Sequence, residues 1–254
     1  MAQCKSLQNS KAAGSNPASP LEVNMEQYKG KTVVFCLPGN NYSGRFLTSF
    51  TELIMVCRDH GIRTLISQSY SSMVNFARCK VAGADVQRGK RQEPFGGKVP
   101  YDYMMWIDSD IAFQVENFYQ LLRMDKDIAS GWYCQPNSPT VYTPNFEFYT
   151  PVVEHMNNDF FEQHGTFRFL KNNEISQKKE PFKADYIGFG WVLIKKGVFE
   201  KLHYPWFAPK PMNIGSMQDM CSEDVSFCMD ARKAKFDIWV NPEAYVGHEK
   251  TLII

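Results

Sequence analysis

The feature that most constrains this chain is the alternation, through its first half, of short β-rich apolar runs with segments of helical period. "KTVVFCLPG" (31–39) is a β-rich run closed by Pro-Gly, a strand running into a turn. "RFLTSFTELIMVCRDHG" (45–61) then places Phe46, Phe50, Leu53, Ile54 and Cys57 at helical spacing and closes on a glycine. "RTLISQSY" (63–70) predicts a second strand and "SMVNFARCKVAGAD" (72–85) a second helix. "YMMWID" follows as a third strand, "VENFYQLLRM" (115–124) as a third helix and "DIASGWYC" (127–134) as a fourth strand. This order predicts an α/β class, a mostly parallel sheet covered by helices. Open sheets of that kind take ligands beyond the carboxyl ends of their strands.

The alternation stops after residue 135. A stretch carrying Pro136, Pro139, Pro144 and Pro151 leads into a polar insert, "KNNEISQKKEPFK" (171–183). "ADYIGFGWVLIKKGVFEKL" (184–202) reads as a strand, a glycine-bearing bend and a short helix. "EDVSFCMDARKAK" (223–235) reads as a helix, and "FDIWV" with "AYVGH" as a closing strand pair. The first half is Rossmann-like and the second irregular. Residues 1–27, without an acidic residue before Glu22, are expected to be a disordered tail, and 28–254 one folded domain.

Composition narrows the function classes. A formal charge of +1 argues against a protein built to coat nucleic acid. Aromatics, at 14%, suit sugar or base stacking, but a Phe-rich core explains them more simply. Seven scattered cysteines without a CxxC pair indicate neither a zinc site nor a disulfide framework, and point to a reducing compartment. No apolar run approaches the roughly 18 residues of a membrane span, and the N-terminus has no hydrophobic signal core. The expectation is a soluble, cytoplasmic protein.

Within this frame, "YMMWIDSD" raises a chemical question: a buried strand ends on Asp108-Ser109-Asp110. Two carboxylates about 4 Å apart repel by about 4 kcal/mol at an effective dielectric of about 20. A hard divalent cation, Mg²⁺ or Mn²⁺, offsets that repulsion and normally completes its shell with water and substrate phosphates. The plainer alternative is a loop in which Asp110 caps the next helix. "CSEDVSFC" (221–228) is a second signal. Ser222 is a plausible helix N-cap, and Glu223 and Asp224 in the first turn complement the helix dipole. The functional alternative makes one of them a general base. Third, His248 in "AYVGHEK" follows a short strand, and of the five histidines it is the best candidate metal ligand. Arg78, on the second helix, could reach a phosphate, with an ordinary surface arginine as the alternative. No P-loop, no GxGxxG after the first strand and no GxSxG elbow occurs.

Together "LPG" after strand one, "NFAR" on helix two, "MMWIDSD", "GFGWVLIKKGVFEKL…YPWF", "SEDVSFCMDARKAKFDIWVNP" and "VGH" resemble a GT-A-fold glycosyltransferase. The likeness is to the compact nucleotide-sugar transferases of large DNA viruses, phages and bacteria, and it covers roughly residues 30–250. The resemblance implies a donor-binding half (28–135) and an acceptor-binding half (136–254). It implies that Asp108, Asp110 and His248 hold Mn²⁺ or Mg²⁺ against the donor diphosphate, and that Pro38, Gly39, Asn40, Arg78, Ser109 and Gly188 line the donor. Trp191 and Glu223 would meet the acceptor, and Asp224 would be the base of an inverting transfer. The implied partners are a nucleotide-diphosphate sugar, UDP favoured over GDP, and a glycan or glycoprotein acceptor. The implied setting is the cytoplasm, that of the host if the chain is viral. Cys79 stands where relatives often carry Asn, and Gln68-Ser69 where many carry an acidic residue.

Three rivals remain at this level. A phosphatase or phosphotransferase would use Asp108 as nucleophile, but that class usually has Thr or Val where Ala112 stands. A nucleotidyltransferase would be expected to show a Gly-rich, basic loop after strand one, which "LPGNNYSGR" matches poorly. A non-catalytic sugar-binding module would need no paired acids at a strand end.

Overall fold

The computed structural model describes residues 25–135 and 148–250. The first half runs β1 (Thr32–Pro38), α1 (Gly44–Asp59), β2 (Arg63–Ser69), α2 (Val74–Val81), β3 (Tyr103–Ile107), β4 (Ile111–Ala112), α3 (Val115–Met124) and β5 (Ile128–Trp132). The second continues with β6 (Val152–Val153), α4 (Asn158–His164), α5 (Asn172–Ser176), β7 (Phe182–Ala184), β8 (Tyr186–Ile187), β9 (Trp191–Lys195) and α6 (Val198–Lys201). It closes with β10 (Lys210–Ile214), β11 (Met217–Cys221), α7 (Glu223–Lys233), β12 (Ile238–Tyr245) and β13 (Gly247–His248).

Seven strands form the central sheet in the order β2-β1-β3-β9-β5-β12-β7. β2, β1 and β3 are mutually parallel, as are β5 and β12. β9 runs antiparallel between β3 and β5, and β7 antiparallel on the β12 edge. The α/β class with a mostly parallel sheet, expected from the alternation, is the one adopted.

β1 and β3 are buried along their whole length because helices cover both faces, so their residues read as continuous apolar runs. Val33, Phe35 and Leu37 pack with α1 and α3, through Phe46, Leu53, Phe118 and Leu121. Val34, Cys36, Met104 and Trp106 pack on the other face with residues of the second half. There Trp106 meets Phe189, Phe199 and Phe207 at centroid distances of 5.5, 5.8 and 5.2 Å, and Phe207 stacks on Phe227 at 5.4 Å. These aromatics are core, as the simpler reading had it. Each such buried ring stabilises the fold by about 1.5–3 kcal/mol.

Several boundaries differ from the sequence expectations. The folded part begins by Met25, not at 28: Met25–Tyr28 form a short 3₁₀ turn, and the buried Tyr28 hydroxyl donates to Leu122 O at 2.8 Å. α2 ends at Val81 rather than 85, because Gly83 turns at φ +81° where a Cβ would lie 2.5 Å from Phe95 Cα. The expected closing strand pair is one long strand, β12, continued past Pro242. The register shift between Val240 and Tyr245 spares Pro242 a ladder donor, and its carbonyl accepts from Trp132 Nε1 at 2.8 Å. Between α6 and α7, where the sequence predicts no element, β10 and β11 pair antiparallel as a hairpin. Residues 1–24 of the expected tail, and Pro136, Pro139 and Pro144, lie outside the described residues.

Cys36, Cys57, Cys79, Cys134, Cys221 and Cys228 are free thiols, all but Cys134 buried. No helix among the described residues is long and apolar enough to cross a membrane.

Candidate active site

The carboxyl ends of β1 and β3 meet at the Asp108-Ser109-Asp110 turn. Asp108 N donates to Gly190 O at 3.1 Å and Ile111 N to Asp108 O at 3.1 Å, which closes the turn. Gly39, at φ +151°, lets the chain after β1 lie directly on it, since a Cβ there would come within 2.7 Å of Ser109 Cβ. Pro38 is the buried last residue of β1, and Asn40 is exposed at the rim.

The two aspartates face different partners. Asp108 Oδ2 accepts from Arg78 Nη2 at 3.0 Å, while Asp108 Oδ1 is buried with no hydrogen-bond partner among the described residues. Asp110 Oδ2 lies 3.1 Å from His248 Nε2 and 2.6 Å from Lys250 Nζ. The histidine is delivered by β13, which pairs antiparallel with β4 so that His248 stands opposite Ile111, and Glu249 N donates to Asp110 O at 2.7 Å. Burial raises the Asp110 pKa, but the hydrogen bonds and charges of His248 and Lys250 outweigh it and hold the carboxyl at about 2. The alternative in which Asp110 caps the next helix does not hold, because Gln114 occupies the N-cap of α3.

His248 is oriented as a ligand. Its Nδ1 is 3.0 Å from Cys134 O, which can only accept, so Nδ1 carries the hydrogen. Nε2 is then the ring atom that faces Asp110 Oδ2, at 3.1 Å. Among the described residues no three His, Cys, Asp or Glu groups converge into a protein-only metal cage. The Asp110–His248 pair and the orphaned Asp108 Oδ1 suit instead a divalent cation that takes the rest of its shell from phosphates and water.

The second acid pair opens α7. Ser222 has N-cap backbone geometry (φ −65°, ψ 171°), but its hydroxyl bonds Asp224 Oδ1 instead of capping the helix. Asp224 Oδ1 also accepts from Val225 N at 2.9 Å, and Asp224 Oδ2 accepts from the Tyr186 hydroxyl at 3.0 Å. The Glu223 carboxyl is raised by burial and by neighbouring Asp224, against the opposing pull of Arg78.

Arg78 joins the two acid groups. Instead of standing open towards a phosphate, it is 3% exposed, with Nε 3.3 Å from Glu223 Oε1 and Nη1 3.5 Å from Phe189 O. Burial opposes its charge, but the Asp108 and Glu223 carboxylates outweigh that and push its pKa up.

The GFGW segment forms the floor between these groups. A Cβ at Gly188 would lie 2.5 Å from the Tyr133 hydroxyl, and one at Gly190 2.7 Å from Tyr133 Cε1, so the glycines admit that ring; Gly190 N donates to its oxygen at 3.3 Å. Gly188 is therefore buried under Tyr133 and Pro151. Trp191 does not reach an acceptor: it is fully buried on β9 against Phe113, with centroids 4.6 Å apart. The strand's alternation aims it into the core under α1 and α3. Sequence reasoning missed Lys250, Tyr186 and Tyr133. Two of them had a local signal, since Lys250 lies two residues after His248 and Tyr186 two before Gly188.

Fold and site together define an α/β protein with a cluster of acids, bridged by Arg78, at the carboxyl ends of its strands. No protein-family model matches the chain, and no curated protein matches it. Among solved structures it is similar to A197 from STIV (TM-score 0.43, 14% identity, 88% of this chain and 96% of that one). It is similar to GalNAc-T7 crystallised with UDP, GalNAc and Mn²⁺ (TM-score 0.45, 10% identity, 87% of this chain) and to S. aureus TarS (TM-score 0.39, 13% identity, 86% of this chain). The chain spans 44% of the GalNAc-T7 chain and 60% of the TarS chain. At such TM-scores these likenesses carry no reading of the site.

Proposed function

We propose that this protein is a metal-dependent glycosyltransferase, moving a hexosyl or pentosyl group from a nucleotide-diphosphate sugar to an acceptor hydroxyl with inversion. UDP-sugar is favoured over GDP-sugar as donor, and a glycan or glycoprotein is the acceptor. The observation that supports this most is that the buried Arg78 bridges two acid groups, Asp108-Asp110-His248 and Glu223-Asp224. A phosphate-directed cation and a carboxylate base are the two elements that such a transfer needs.

Asp108, Asp110 and His248 would hold Mn²⁺ or Mg²⁺, and the ion would stabilise the charge growing on the diphosphate leaving group. Pro38, Gly39, Asn40 and Ser109 border the donor in the half before residue 135, and buried Gly188 shapes the floor beneath its sugar. Asp224, fixed by Ser222, Val225 N and Tyr186, takes the proton of the acceptor hydroxyl as that oxygen attacks. A single displacement of this kind inverts the anomeric carbon. Glu223 meets the acceptor, and Arg78 keeps the acid groups in register. The free cysteines among the described residues support the cytoplasm as the compartment.

Calorimetric titration of UDP and GDP, first with Mn²⁺ and then with EDTA, tests the reading. Binding of UDP that disappears with EDTA is the expected result. No binding of either nucleotide, or binding indifferent to chelator, would overturn it.

A further inference from the structure

Two adjoining hollows open beside the acid cluster at the carboxyl ends of β5 and β12. One, of about 500 Å³, has His248 and Lys250 at its inner end. The other, of about 710 Å³, runs outward to Lys178 and Lys179, and both are lined by Asn172 and Tyr245. They form one groove leading away from the candidate centre.

Its lining is built around an exposed ring on a fixed support. The period of β12 puts Glu243 and Tyr245 on one solvent-facing side, and Tyr245 is 49% exposed. Beneath it lies the buried Trp132, centroid to centroid 4.7 Å, itself held by its bond to Pro242 O. Asn172 and Ser176 line the wall, the Asn172 Oδ1 accepting from Phe148 N at 3.1 Å and the Ser176 hydroxyl donating to Asn172 O at 2.7 Å. The charges cancel. Lys250 is matched by Asp110, and Lys178 by Glu154 at 3.0 Å. Lys179 and Glu243, of opposite sign, have no ion pair among the described residues.

We propose that this groove binds a neutral saccharide chain, the acceptor, with Tyr245 as its stacking platform; the inference rests on the glycosyl-transfer reading. A pyranose offers an apolar C–H face to an aromatic ring and hydroxyls to amide, hydroxyl and charged groups, which is the mixture present here. A nucleic acid or polyphosphate would call for unpaired cations, and here two of the three lysines are already paired with carboxylates and Glu243 opposes the third. Tyr245 needs little ordering on binding, because Trp132 already fixes one face of its ring.

The test is a printed array of neutral oligosaccharides of several linkages beside sialylated and sulfated ones, probed with the full chain and with Tyr245→Ala and Tyr245→Phe. Neutral members are expected to bind the wild type, to lose at least about tenfold with Tyr245→Ala, where ring stacking is removed, and to be retained by Tyr245→Phe. Thermal unfolding of Tyr245→Ala at the wild-type temperature separates this loss from misfolding. No neutral glycan bound, a preference for the anionic members, or equal binding by Tyr245→Ala would overturn the proposal. Titration of UDP with Mn²⁺ into the wild type separates the two readings. UDP binding without glycan binding removes the groove assignment alone. Tyr245-dependent glycan binding without any nucleotide binding removes the transferase.

Discussion

Lys250 Nζ stands 2.6 Å from Asp110 Oδ2, the same carboxylate oxygen that faces His248 Nε2. β13 lies against β4, and two residues on in an extended chain return Lys250 to the side of His248. An ammonium therefore occupies the place beside Asp110 that a divalent cation would take. On the proposed function, the lysine would compete with the metal for this carboxylate.

Lys250→Ala is accordingly expected to tighten Mn²⁺ binding to the nucleotide-free protein. An exposed ion pair contributes at most about 1 kcal/mol, so the gain is at most about fivefold. Titration followed by the Mn²⁺ electron spin resonance signal measures it. Weaker binding than wild type would mean that Lys250 supports the metal instead of displacing it.

The same pairing sets an acid dependence. The folded Asp110 pKa, about 2, lies below its ordinary 3.8, so the contribution to stability is complete above the ordinary value and is lost as pH falls through the folded one. Asp110→Asn should flatten the stability curve between about pH 4 and pH 2, with the wild type losing more over that window. The side chain is 39% exposed, so solvent screening keeps the effect small. Urea midpoints at several acid pH values check the slope, and parallel curves would discard the pairing. In the same variant UDP binding should lose its dependence on Mn²⁺.

Arg78 is the side chain on which both acid groups depend. Its own side chain is 4% exposed, that of Glu223 12% and that of Asp108 24%. Arg78→Met would strand two carboxylates in a poorly solvated floor, and breaking a buried pair by removing one partner costs about 3–5 kcal/mol. Arg78→Lys should recover little, because one ammonium cannot span two carboxylates and the Phe189 carbonyl. Adding Glu223→Gln to Arg78→Met should restore part of the loss. Urea denaturation of the three variants decides, and a wild-type midpoint for Arg78→Met would contradict the bridging role.

How much of this was legible in the chain follows the range of the contacts. The first half follows the alternation closely, since β1, α1, β2, β3, α3 and β5 each form where a local period and a turn signal agree. The Asp108-Ser109-Asp110 turn was visible because a buried strand stopped on two charges. What closes the site lies far away in sequence: Lys250 is 140 residues from Asp110, and Glu223 is 145 from Arg78. No local pattern reports such pairs. Trp191 misled for a related reason, since a tryptophan beside glycines looks like a binding loop until the strand's alternation turns it under Phe113. The hairpin β10–β11 carries a Gly-Ser turn and three buried residues, Met212 and Ile214 on β10 and Cys221 on β11, too little to separate it from loop.

Tyr186 supplies the sharpest test of the proposed base. Its hydroxyl donates to Asp224 Oδ2 at 3.0 Å, while Ser222 and Val225 N hold the other oxygen, so the carboxylate is fixed at both ends. Tyr186 is buried, and it touches neither Asp108 nor Asp110 through any hydrogen bond among the described residues. Tyr186→Phe removes one neutral-to-charged hydrogen bond and should cost about 1.5–3 kcal/mol of stability. Transfer should slow about tenfold, a part of the 10²–10⁴-fold that a positioned base supplies, with UDP affinity in Mn²⁺ unchanged. Asp224→Asn should stop transfer altogether while still binding UDP. Turnover measured beside calorimetric UDP binding separates the cases: if Asp224→Asn turned over normally, the base would have to be sought elsewhere, and Glu223 would be the next carboxylate to replace.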